Sequence, residues 1–336
     1  MQKVLITGAG GLLGQELVRY VYPGLEIVGL GHEECDVTDA ASVRAAFERV
    51  RPDVIINCAV VVSVDRCEQD PVRCRAVNMG GVENLLGATR ELGLRPTFVE
   101  ISSSEVFGRV KEGEYKIDGY NEDDEPRPVS LYQRTKAEAE RVVQEFAREH
   151  PDALTRWYIV RAGWLYGAGR ATFIDQFLEK LQRDEPLEVI VNQWRSPTWT
   201  RDFAQGLFYL LGRNCLKSSR REASRSENPS VTRSYSEGLS DEGNEADGFF
   251  KQFLSESGIY HITNEVEHGE ASTLDVVEEI ALTLGPSRVR APLRLVSRED
   301  IFKIPRAPSN VLKNTRLPKL RYWREALREY LQRYAL

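Results

Sequence analysis

The chain has 336 residues, 41% of them hydrophobic and 29% charged, with a formal net charge of −6. That length allows one large domain or two closely joined ones with a sizeable core, and the acidic balance disfavours a nucleic-acid backbone as partner, since such binding needs clustered Lys and Arg. No apolar run reaches the roughly 18 residues that span a membrane, and the opening MQKVLITGAGG has too short an apolar stretch for a signal peptide, so a cytoplasmic protein with no membrane partner is expected. Cys35, Cys58, Cys67, Cys74 and Cys215 are odd in number and contain no CxxC pair, which argues against a disulfide framework or a zinc site and leads us to expect reduced thiols.

The elements alternate in chain order. A short buried strand at 4–7 leads into a helix at 14–20, then a strand at 27–30 and a helix at 41–50. After the turn residues Arg51, Pro52 and Asp53 comes a strand at 54–58, then a helix at 82–92, a strand at 97–102, a long amphipathic helix at 131–149 and a strand at 157–161. Apolar strands separated by helix-length segments predict a parallel sheet covered on both faces, and right-handed crossovers make it doubly wound, the α/β Rossmann arrangement. The second half is less regular, with helices at 171–183 and 200–212, a strand at 258–262, and helices at 273–284 and 322–334. We therefore expect a dinucleotide-binding domain over 1–165, completed by about 200–213, and a smaller, irregular substrate lobe from 166–199 and 249–336. Residues 217–248 are rich in Ser, Glu, Arg, Gly and Asn and almost devoid of large aliphatics. Such a segment cannot bury enough apolar surface to offset its ordering entropy and reads as a disordered insertion. Its Ser and Arg clusters suggest a phosphorylation or docking role, but a tolerated surface insertion is the favoured reading.

Between the first strand and the first helix lies Thr7-Gly8-Ala9-Gly10-Gly11-Leu12-Leu13-Gly14. Glycines at Gly8, Gly11 and Gly14 permit, in turn, a tight turn, close approach of the backbone to a pyrophosphate, and close helix–strand packing. The helix N-terminus then presents free N–H groups to the phosphates. The strand before and the helix after separate this pattern from a merely structural turn. At the end of the second strand, Gly31 offers no carboxylate for the ribose. His32 could face a 2′-phosphate and Glu33 could take a ribose hydroxyl, so NADP or NAD is the expected cofactor, with a lean to NADP.

Tyr132 and Lys136 lie four apart on one helix and so share a face. An ammonium there favours the phenolate and should lower the pKa of Tyr132 toward the working pH. A tyrosine so placed can protonate a carbonyl oxygen as hydride arrives. The segment Glu100 to Gly108 contains Ser102, Ser103 and Ser104 at the carboxyl end of a strand, where open parallel sheets bind ligands. A serine hydroxyl there can orient a carbonyl and stabilise a developing alkoxide.

At these residues the chain resembles the extended short-chain dehydrogenase/reductases and, within them, the dTDP-4-dehydrorhamnose reductase branch. The matching pieces are TGAGGLLG from Thr7, CDVTDAASV from Cys35, RPDVIINCA from Arg51, VDRCE from Val64, AVNMGGVENL from Ala76 and ISSSEVFG from Ile101. They continue with YQRTKAEAE from Tyr132, VRAGWLYG from Val160, SPTWTRDFA from Ser196 and RAPSNVLKNTRL from Arg306. The resemblance implies that Tyr132 is the general acid, Lys136 its partner and a ribose ligand, and Ser103 the carbonyl-orienting hydroxyl. It implies that Gly8, Gly11, Leu12, Leu13 and Gly14 line the pyrophosphate, that Asp36 and Val37 flank the adenine, and that Cys58, Ala59 and Val60 pass beside the ribose and nicotinamide. Ser103, Ser104, Glu105, Trp164 and Arg306 are the implied substrate contacts. A nucleotide-sugar substrate is implied, and a homodimer is an expectation since family members often dimerise.

Two positions depart from the branch: Val62, where a threonine or small polar residue is usual, and Glu105, where a tyrosine is usual. The run Ser103 to Glu105 is similar to sugar-nucleotide decarboxylases and dehydratases, in which a carboxylate in a partly dry site serves as a second acid/base. Three functions therefore stand. The first is an NAD(P)H-dependent reductase of a nucleoside-diphosphate 4-keto-6-deoxysugar. The second is an epimerase, dehydratase or decarboxylase that retains its NAD. The third is a non-catalytic regulatory subunit resembling that of methionine adenosyltransferase, which the intact Ser103, Tyr132 and Lys136 set weighs against. No carboxylate cage suggests a metal, and none is assigned.

Overall fold

The computed structural model describes residues 2–20, 24–109, 111, 113–183, 185–212, 256–285 and 292–335; the insertion expected at 217–248 and Cys215 lie outside them. The main sheet contains β1 (Gln2–Thr7), β2 (Leu25–Leu30), β3 (Val54–Asn57), β4 (Thr97–Ser103), β5 (Arg156–Ala162) and β9 (Gly258–Ile262), in the order β2-β1-β3-β4-β5-β9. All five pairings are parallel. The fold is thus the doubly wound α/β arrangement that the alternation of apolar strands and helices predicts. The strand 258–262, expected in the C-terminal lobe, instead closes the sheet beside β5. Its sequence GIYHI, which buries its last three residues, suits a sheet covered on both faces.

Side-chain alternation along the strands divides the interior in two. Val4, Ile6, Ile56, Val99 and Val160 point to one face, against Leu13 and Leu17 of α1 (Leu12–Arg19) and Phe203, Leu207 and Phe208 of α8 (Thr200–Leu210). Leu5, Ile55, Phe98 and Ile159 point to the other. There they meet Val43 and Phe47 of α2 (Ala40–Val50), Leu85 and Leu86 of α5 (Gly81–Glu91), and Ala139 and Val143 of α6 (Leu131–Glu149). Ser130 caps α6 in a reciprocal capping box with Gln133, which fixes where the helix, and hence Tyr132, begins.

Between β3 and α5 the chain forms α3 (Val64–Gln69), α4 (Pro71–Arg75) and a π-helical turn at Ala76–Gly80. Ser63 and Asp70 cap these helices and Pro71 opens the second, signals that the sequence reading passed over. The reversal at Asp70 brings Cys67 and Cys74 to a Cα separation of 5.1 Å, where they form a disulfide. This corrects the expectation of reduced thiols for this pair; Cys35 and Cys58 are free.

The remaining elements build the C-terminal lobe. Two short parallel pairs are β6 (Trp164–Tyr166) with β8 (Pro197–Trp199), and β7 (Leu187–Ile190) with β10 (Leu293–Val296). They pack with α7 (Phe173–Gln182), α9 (Thr273–Leu284) and α11 (Trp323–Tyr334), while α10 (Arg298–Ile301) is one exposed turn. A third apolar cluster that includes Trp199, Ile280, Trp323 and Leu327 holds this lobe together. Among the described residues no helix is long and apolar enough to cross a membrane.

Candidate active site

After β1 the chain crosses to β2 on one side of it and then to β3 on the other, so a crevice opens at the carboxyl ends of β1 and β3. The glycine loop fills its floor. Gly8 has a φ of +61°, and a Cβ there would lie 2.7 Å from the backbone at Cys58 and Ala59. A Cβ on Gly14 would lie 2.5 Å from the Gly8 carbonyl oxygen, whereas Gly10 has open space. Gly11 caps α1 without a side-chain hydrogen bond, so the first turn of α1, with Leu12 half-buried and Leu13 buried, keeps N–H groups for an anion.

Beyond β2, Glu34 turns back to accept the Gly31 N–H at 3.0 Å, while exposed His32 lies 3.6 Å from Asp36. Asp36 accepts the Thr38 hydroxyl and N–H at 2.7 and 2.9 Å, and these bonds hold its carboxyl below the usual range. Val37 is buried under Gly81, and its carbonyl accepts Asn84 Nδ2 at 2.8 Å. Cys58, Ala59 and Val60 run half-buried from the end of β3, and burial pushes the Cys58 thiol well up, so it stays neutral.

Tyr132 is buried at the start of α6, close enough to Ser103 at the end of β4 for that hydroxyl to act on its phenol. Ser103 Oγ also accepts the Glu105 N–H at 3.2 Å. Ser104 is buried at the head of the 3₁₀ turn Ser104–Val106. Lys136 is buried one turn further along α6, on the face that carries Tyr132. Its Nζ donates to Glu100 Oε1 at 2.5 Å and to the Ile101 carbonyl at 2.8 Å. Glu100 Oε2 accepts Asn57 Nδ2 at 2.6 Å, and Asn57 Oδ1 accepts the Thr7 hydroxyl at 2.7 Å. A buried chain Thr7–Asn57–Glu100–Lys136 therefore runs from β1 across β3 and β4 to α6. Neither Asn57 nor Glu100 was singled out from the sequence.

The direction at Tyr132 differs from expectation. Burial raises its pKa more than Lys136 and Ser103 lower it, so the phenol holds its proton in this environment. Lys136 is pushed up as well: burial opposes its charge, but Glu100 and Tyr132 outweigh that cost.

Opposite Tyr132 stand side chains from the C-terminal lobe. Glu105 Oε1 accepts Arg195 at 2.9 Å and Asn310 Nδ2 at 2.8 Å, and its Oε2 accepts Gln133 Nε2 at 2.9 Å. Half-buried Trp164 carries the Arg195 guanidinium 5.4 Å from its ring centroid. Arg306 is buried, donates to Asp65 of α3 at 3.3 Å and lies over Phe302, and its Nη1 has no partner among the described residues. The structure thus sets Ser103, Tyr132 and Lys136 together, joins Ser103 to Glu105 and, through Arg195, Glu105 to Trp164, and leaves Arg306 near enough to Glu105 to feel its charge. Sequence reasoning missed Arg195, Asn310 and Gln133, although each stands in or beside a segment it quoted. No group of three or more His, Cys, Asp or Glu suited to a metal occurs among the described residues.

Residues 1–236 match the family model described as the RmlD substrate binding domain. A dTDP-4-dehydrorhamnose reductase from Streptomyces griseus is 32% identical over 338 residues, covering 97% of this chain and 91% of its own. The spore coat polysaccharide biosynthesis protein SpsK of Bacillus subtilis is 28% identical, covering 99% and 98%. Among solved structures, the dTDP-4-dehydrorhamnose reductase of Bacillus anthracis in complex with NADP superposes with a TM-score of 0.75 at 21% identity, covering 99% of this chain and 100% of that one.

Proposed function

The chain belongs to the RmlD substrate-binding-domain family, an NAD(P)-dependent branch of the short-chain dehydrogenase/reductases, and from that premise we propose that it reduces the 4-keto group of a nucleoside-diphosphate 4-keto-6-deoxysugar, dTDP-4-dehydrorhamnose being the first substrate to test. The observation that carries the reading is the placement of the buried Tyr132 phenol beside Ser103 and one helical turn from Lys136, at the glycine crevice. The cradle suits a dinucleotide: Gly10 leaves open space, Gly8 and Gly14 admit no side chain, and α1 offers uncapped N–H groups. The loop Gly8–Gly14 would hold the pyrophosphate, Asp36 and Val37 would flank the adenine, and Cys58, Ala59, Val60 and Lys136 would border the ribose and nicotinamide. When bound, NADPH, with NADH as the alternative, supplies the hydride.

The chain's own residues do the rest. Ser103 orients the carbonyl oxygen, and Tyr132 donates its proton to that oxygen as negative charge develops on it. Lys136 stabilises the phenolate left behind. Trp164 and the Arg195–Glu105 group shape the sugar side. Arg306, with one guanidinium nitrogen free among the described residues, would bind the substrate's anionic part. Glu105, which suggested a hydride-recycling enzyme, is engaged by three donors, and this supports the reductase over a second acid/base. We place the reaction in the cytoplasm.

The test is spectrophotometric consumption of NADPH and NADH with dTDP-4-dehydrorhamnose. Tyr132→Phe should lower kcat by about 10²–10⁴ while leaving cofactor affinity and Tm in place. No consumption by wild-type protein that binds cofactor would sink the reductase reading.

A further inference from the structure

A carboxylate at 0% exposure in the middle of a sheet is costly unless it is paired. Glu100 is such a group, on β4 between apolar neighbours, and the proposed chemistry does not use it. Both its oxygens are engaged, Oε2 by Asn57 and Oε1 by Lys136 at 2.5 Å. A lysine ammonium has three N–H donors. Two of those on Lys136 go to Glu100 and the Ile101 carbonyl, both on β4, which anchors the ammonium to the strand and leaves one donor, among the described residues, for the side facing Tyr132. Burial pushes the Glu100 carboxyl up, and Lys136 and Asn57 offset that only in part; in its ionised form, paired with the Lys136 ammonium, it lies close enough to the phenol for its charge to act there.

We propose that Glu100 is a positioning residue that holds the Lys136 ammonium on β4 and keeps the Tyr132–Lys136 couple fully protonated, and so ready to donate, across the neutral range. The couple shares its protons, so a nearby anion strengthens its hold on both, whichever group releases first. The other groups facing the couple do not replace this anion. Cys58, at the end of β3, is held as a neutral thiol. Glu140, the next turn of α6, is claimed by Arg161 of β5 and Ser102 of β4. Glu105 is paired with Arg195, Glu68 of α3 accepts the Leu131 N–H, Asp65 pairs with Arg306, and Arg75 of α4 pairs with Glu138. Asn57 and Thr7 continue the chain without charge. They tie Glu100 to the strand that launches the glycine loop, so the proton-holding group and the cofactor cradle share one hydrogen-bonded frame.

The inference rests on the reductase reading for the purpose of the proton, but it can be measured without turnover. Wild type and Glu100→Gln are titrated by NMR with ¹³C at tyrosine Cζ and lysine Cε, with signals assigned from Tyr132→Phe and Lys136→Arg. Glu100→Gln should lower the first titration of the couple by about one pH unit or more. With a turned-over keto sugar, the alkaline limb of kcat/KM should move down by the same amount, with KM for the cofactor little changed. Glu100→Asp keeps the charge but retracts it by one methylene, and should shift both in the same direction by less. If Glu100→Gln does not fold, Glu100→Asp carries the test alone. A lower Tm with neither the titration nor the limb displaced, in whichever variants fold, would make Glu100 a structural pair only and overturn the proposal. An absence of turnover together with a displaced titration would instead fault the reductase reading.

Discussion

Helix α6 carries two buried ion pairs one turn apart, and they are built in opposite senses. At Lys136 the cation is on the helix and the carboxylate, Glu100, on β4. At Glu140 the carboxylate is on the helix and the cation, Arg161, on β5. The second pair is a fork: Arg161 Nε and Nη2 meet the two Glu140 oxygens at 2.9 and 2.7 Å, and Ser102 adds a bond at 2.5 Å. A guanidinium does not deprotonate in proteins, and its planar fork fixes geometry, whereas an ammonium is a mobile point charge whose proton can leave when its surroundings change. The fork lies beneath Phe107 and beside His261, away from the glycine crevice, while the lysine pair lies beside Tyr132. Two pairs of equal burial thus suit different tasks, one a fixed joint between α6 and the sheet and the other a charge that proton transfer can use.

The sharpest way to break that contrast is to remove one cation from the joint. Arg161→Met leaves Glu140 buried without its partner, and loss of one member of a buried pair costs about 3–5 kcal/mol. The expected result is a large fall in unfolding free energy measured by denaturant, with the alkaline limb of the activity profile unmoved for the fraction that remains folded. A displaced limb would mean that both pairs feed the phenol, and the distinction would fail.

The joint also predicts an acid sensitivity that the lysine pair does not share. His261, buried on β9, donates Nδ1–H to the Lys313 carbonyl at 2.9 Å and turns Nε2 toward Arg161 at 3.4 Å, so protonation would place two cations together. Burial first, and then Arg161, lower its pKa from 6.5 to about 3. The unfolded chain therefore binds a proton below about pH 6.5 that the folded chain refuses until about pH 3. Stability falls as pH drops through that window, by an amount on the order of a few kcal/mol at its lower end. His261→Gln should flatten the dependence of unfolding free energy on pH between 6.5 and 4. An equally steep wild-type and mutant curve would assign the acid loss to other groups.

What could be read from the sequence follows the same division by distance along the chain. Gly8, Gly11 and Gly14 lie between the end of β1 and the first turn of α1, and Tyr132 and Lys136 within one helical turn, so local spacing read with the elements beside it proposed them. Glu100 left a trace that went unused: in the strand TFVEISS, covered on both faces, a carboxylate must find a partner. Which partner it finds depends on the pairing of β3 with β4 and on α6 crossing β4, contacts of separation 43 and 36 that no local pattern encodes. Arg195 and Asn310 reach Glu105 across separations of 90 and 205, and for the same reason escaped notice. The disulfide failed differently. Counting cysteines is a rule about whole frameworks, and it is blind to a single turn that brings Cys67 against Cys74.

The smallest effect is expected where the two halves of the molecule meet, and it tests whether Glu105 belongs with the fixed joint or with the titrating pair. Glu105 is half-buried and takes hydrogen bonds from Gln133 of α6 and from Arg195 and Asn310 of the C-terminal lobe. Glu105→Gln keeps the shape but presents an amide N–H₂ to one set of donors, leaving a polar group unsatisfied at a cost of about 1–3 kcal/mol. If Glu105 only ties the lobes together, that cost appears as a loosened sugar site, with KM for the nucleotide sugar rising by about tenfold and kcat holding within a few-fold. If it exchanges protons with substrate, kcat falls instead by orders of magnitude while KM stays, and cofactor that copurifies and is not consumed would accompany that result. The split between kcat and KM in this one variant therefore decides whether the carboxylate beside Tyr132 is part of the frame or of the chemistry.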